Sequence, residues 1–119
     1  LIGIMAKEVQ EKGAEFQVAT VMTPMQIHSN KEWREGYMKI MDIQDWFYPT
    51  KRLQNLGEIH NFYVIDLVKP FDDYVQKNPV CFHGFKNTAM CTGHWNATGH
   101  KLAGEIIAEK SCQRFSKKL

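Results

Sequence analysis

The 119-residue chain is 44% hydrophobic and 24% charged, which suits a globular domain with one core and excludes a disordered segment or a coiled coil. Its 15 Lys and Arg against 13 Asp and Glu leave a formal net charge of +2, too weak a field to select a polyanion, so nucleic acid is not an expected partner. No apolar run approaches the roughly 20 residues that cross a bilayer, and Trp33, Trp46 and Phe47 belong to no basic amphipathic helix, so membrane contact is not expected either.

Leu1, Ile2, Met5 and Val9 recur at helical spacing up to Gly13, a C-cap glycine. The pattern is already under way at Leu1, which points to processing or to an upstream portion. Phe16 to Met22 is β-branched and aromatic and closes on Thr23-Pro24, as a buried strand does. A helix is expected from about Asn30 to Met41, then an aromatic loop whose Trp46, Phe47 and Tyr48 read as packing residues. Pro49 can open the next helix, with Leu53, Leu56 and Ile59 facing inward.

Asn61 to Leu67 is the clearest strand, and Asp66 near its end reads as a loop cap rather than a functional carboxylate. A short helix over 71–75 stops at Lys77-Asn78-Pro79, and a connection over 78–93 follows. Asn96 then caps a helix to about Cys112 that buries Ala103, Ile106 and Ile107. Strands separated by helical crossovers define an α/β class with a parallel sheet. Open sheets of this class want about five strands. The two expected here therefore make the chain the C-terminal part of one larger domain.

Cys91-Thr-Gly-His-Trp-Asn-Ala-Thr-Gly-His100 places His94 in a loop just before the last helix. In open α/β sheets such loops carry ligand-binding residues when they lie beyond the carboxyl ends of the strands. His94 is the candidate general base there, and Trp95 a candidate pocket wall. A second chemistry is open: Cys81, His83, Cys91 and His94 are four donors in the order C-x-H then C-x-x-H, and the second pair has a spacing familiar from zinc sites. The three cysteines exclude a complete intramolecular disulfide framework but allow a Cys81–Cys91 bridge. Asn96-Ala97-Thr98 also matches a glycosylation acceptor, a pattern common by chance, and the compartment stays open. No Gly-rich loop follows either strand to cradle a phosphate or dinucleotide.

His94-Trp95-Asn96-Ala97-Thr98-Gly99-His100, followed by Leu102-Ala103 and Ile106-Ile107, resembles the terminal catalytic block of the SGNH hydrolases, the GDSL-type esterase and lipase superfamily. Phe16 to Pro24, Arg52-Leu53 and Val64 to Leu67 resemble that family's central strand, the helix before the next strand, and that next strand. The resemblance implies a flavodoxin-like three-layer fold, of which residues 1–119 are the C-terminal portion. It implies no cofactor, and a small acyl or acetylated-carbohydrate ester as substrate. His94 would take the proton of a serine hydroxyl and return it to the leaving alcohol.

The serine and the upstream oxyanion donors find no match in the chain, since Ser29, Ser111 and Ser116 stand in other contexts. The nucleophile-bearing N-terminal portion is thus an expected partner, and this chain alone is expected to be inactive. Where the family carries an aspartate two or three residues before the histidine, this chain has Thr92 and Cys91. Asp66, Asp72 and Asp73 are the nearest replacement carboxylates. A noncatalytic binding or structural module on an SGNH-like shell is the rival expectation.

Overall fold

The computed structural model describes residues 1–116. Val18, Val64 and Ile65 are β-branched residues that fit a pleated, half-covered surface, and they form the centre of a parallel pair. Strand β1 (Gln17–Ala19) lies beside β2 (Tyr63–Ile65) with Gln17, Val18 and Ala19 opposite Tyr63, Val64 and Ile65. Among the described residues five helices accompany the pair: α1 (Ile2–Glu11), α2 (Lys31–Ile40), α3 (Tyr48–His60), α4 (Val68–Lys77) and α5 (Ala97–Ser116). The arrangement is α/β, a small parallel sheet with flanking helices. Among the described residues no helix is long and apolar enough to cross a membrane.

Both strands are shorter than the seven-residue runs suggested. Beyond Ala19 only one more rung forms, Thr20 N to Ile65 O at 3.0 Å, because Asp66 turns β2 into a helix start. Its Oδ1 accepts from Val68 N at 2.8 Å, and Thr20 Oγ1 accepts from Leu67 N at 3.0 Å. Asp66 is the cap expected of it. The helix it opens is α4, which spans ten residues rather than five and takes in Pro70. A proline is tolerated there because the first-turn amides have no intrahelical partner.

The other helix signals hold with shifts at their ends. Asn30 caps α2 by accepting from Trp33 N at 2.8 Å. Asn61, in the left-handed region at φ 54°, ends α3. Ile59, expected to face inward, is 75% exposed. The inward side of α3 is instead Leu53, Leu56 and Gly57, one step round the helix.

The core lies on the α4 side of the pair, where Ile65, Leu67, Val68, Phe71 and Val75 meet Met22, Ile27, Phe82 and Ala103. An ion pair between Arg34 and Asp72, with side chains only 13% and 12% exposed, fastens α2 to α4. At its far end α5 reaches back to the first strand. Ser111 Oγ donates to Gln17 Oε1 at 3.1 Å and Arg114 Nε to Glu15 Oε2 at 3.2 Å. The Arg114 guanidinium also sits 4.9 Å over the Tyr63 ring.

Candidate functional site

The segment between α4 and α5 folds into an antiparallel ribbon in which His83 and Trp95 form an isolated bridge. Backbone bonds run from Gly84 N to His94 O at 2.9 Å, from Cys91 N to His83 O at 3.0 Å and from Asn96 N to Phe82 O at 2.8 Å. Phe82 and Trp95 anchor the ribbon. Their rings pack on Phe71, at centroid distances of 4.7 and 5.6 Å respectively.

His83, 3% exposed, is hydrogen-bonded to the backbone of Met22, which follows β1. Burial pushes its imidazole pKa below the usual 6.5, and the Met22 bond offsets only part of that effect. The ribbon therefore sits beyond the carboxyl end of β1, the edge of a parallel sheet where ligands bind.

From there Asn96 starts α5. Its Oδ1 accepts from Gly99 N at 3.0 Å and its Nδ2 donates to Cys81 O at 2.8 Å. Both ends of the amide are engaged, so a glycan on Nδ2 would have to fit beside the Cys81 carbonyl. Gly99 is required by closeness: a Cβ there would meet Phe82 O at 2.6 Å.

His94 projects from this frame on an exposed turn. Among the described residues its side chain has no hydrogen-bond or ion-pair partner. The residues considered for orienting it are otherwise engaged. Thr92 Oγ1 donates to Ala89 O at 2.9 Å, and Cys91 is bonded to Cys81 across a Cα separation of 4.8 Å. Asp66 caps α4, Asp72 holds Arg34 and Gln76, and Asp73 pairs with Lys69. Trp95 is half-buried against the core before it can serve as a pocket wall.

The four donors of the zinc alternative are otherwise placed. Cys81 and Cys91 spend their sulfurs on each other and His83 is bonded to Met22. Among the described residues no three His, Cys, Asp or Glu side chains are placed to hold a metal.

A cavity of 220 Å³ opens beside the ribbon, with His28, Ser29, Val80, His83 and the disulfide on its walls. Sequence spacing gave no sign of this grouping, because Ser29 and His83 are 54 positions apart and meet only through the Met22 contact and the turn at Pro24. No protein-family model, curated protein or solved structure matches the chain.

Proposed function

We propose that residues 1–119 are the base-bearing part of an SGNH-type serine ester hydrolase, with the parallel pair belonging to a larger flavodoxin-like three-layer sheet. One observation carries the reading: His94 stands exposed on the turn before the capped α5, on a ribbon bonded beyond the carboxyl end of β1. A base in that place has a rigid floor and an open face. The serine, the oxyanion donors and the group that orients the imidazole are supplied by the rest of the domain.

In the reaction His94 receives the serine proton as the hydroxyl attacks an acyl or acetyl ester, carbohydrate-borne esters included. The tetrahedral oxyanion collapses as His94 protonates the leaving alcohol, and water activated by the same imidazole releases the acid. The test is short-chain ester hydrolysis by the intact protein and its His94→Gln variant. Loss of at least about 100-fold in kcat fits a general base, and an unchanged kcat removes the role. Serine-dependent hydrolysis by purified residues 1–119, abolished by His94→Ala, would overturn the external nucleophile.

A second reading, a noncatalytic SGNH-like binding module, is favoured by the missing carboxylate partner of His94. No ester turnover by the intact protein, together with no labelling by a serine-reactive phosphonate, selects it.

A further inference from the structure

We infer that the Cys81–Cys91 disulfide is a redox-sensitive latch that positions the turn carrying His94. All ten residues from Phe85 to His94 are exposed, so no buried side chain fastens the chain between Gly84 and Trp95. Thr88 and Thr92 bond only within this segment, to Phe85 and Ala89. Its ties to the rest of the molecule are two backbone bonds to the ribbon and the sulfur bridge.

The bridge acts where the path of the chain is decided. Cys91 has φ 64° and Gly93 has φ 77°, two left-handed residues in the three positions before His94. Glycine adopts that conformation freely, whereas a cysteine holds it against its own sterics and needs its surroundings to keep it there. The bond to Cys81, whose carbonyl also accepts from the helix cap Asn96, supplies that constraint. It registers the turn against α5. Two-electron reduction by a dithiol breaks the Sγ–Sγ bond, leaves two thiols and converts the dithiol to its own disulfide. Cys91 is then free to leave the left-handed region, and the direction in which His94 projects changes with it.

The catalytic consequence rests on the proposed ester hydrolysis, and the structural consequence does not. Amide exchange and ester turnover are therefore measured together on the intact protein, oxidised and then reduced with dithiothreitol, in a Cys112→Ser background that removes the free exposed thiol. On reduction the amides of Gly84 and Cys91 are expected to exchange at least about tenfold faster while β2 and α4 keep their protection. In parallel kcat should fall about tenfold with KM little changed, and recover on reoxidation.

The Cys81→Ser/Cys91→Ser protein should match the reduced state under both conditions. Unchanged exchange at Gly84 and Cys91 overturns the latch, and so does faster exchange throughout the molecule, which would make the bridge a general staple. Turnover insensitive to reduction overturns its role at His94. Absence of turnover in both states defeats the ester reading instead, and exchange alone then decides the latch.

Discussion

Asn96 joins three things that the site needs in register: the first turn of α5, the Cys81 carbonyl and the chain leaving His94. Asn96→Ala removes the cap and strands the Cys81 carbonyl, at a cost of about 1–2 kcal/mol. Asn96→Asp keeps an acceptor for Gly99 N but loses the donor, and should fall between the two in thermal midpoint. His83 makes a pH prediction. Its folded pKa lies below 6.5, so the unfolded chain takes up the proton first as pH falls. The stability associated with neutral His83 is complete above pH 6.5 and is lost from there down toward the lowered folded value. Urea unfolding at about pH 7.5 and about pH 5 should show a smaller loss for His83→Gln than for the parent. Equal losses would mean that His83 is no burden when charged. The Asn96 cap was legible because Asn before a periodic run is a local signal. Burial of His83 was not, since it depends on Met22, 61 residues earlier.

At the level of elements, Arg34 and Asp72 show how α2 is held although none of its residues is fully buried. Asp72→Asn leaves the largely enclosed guanidinium without its counter-charge and should cost about 3 kcal/mol, the lower end of the range for breaking enclosed pairs. An Arg34→Met/Asp72→Leu double variant should recover most of that in a denaturant midpoint. If the single variant is neutral, α2 is held by the stacked His28, Trp33, Tyr37 and Trp46 rings instead. Of the aromatic loop Trp46 joins that stack and Phe47 packs on the core, whereas Tyr48 is exposed. Helix periodicity and caps placed α2, α3 and α5 well. Pro70 misled because the same residue stops a strand and is accepted in a first helical turn. The strands were overestimated because Val21 and Leu67 look like ladder residues, while their pairing is ended by Thr20 and Asp66 side chains.

Across the whole molecule, the α/β class followed from the alternation of runs, but the cross-links did not. The disulfide closes a separation of only 10 residues and ties the ribbon to the turn before His94, not one end of the fold to the other. The clasp from Ser111 and Arg114 to Gln17, Glu15 and Tyr63 spans nearly the length of the chain. It also has a consequence for biosynthesis. A nascent chain can pair β1 with β2 once Ile65 has emerged, yet the pair stays without its clasp until Arg114 has left the ribosome. Through that interval β1 has its short ladder and the Thr20 bond to Leu67 but not its ties to α5, which makes its Gln17 end a natural point of capture for a chaperone. Stalled chains ending before Ser111 should therefore be cut by protease near Gln17, and chains long enough to expose Arg114 should resist.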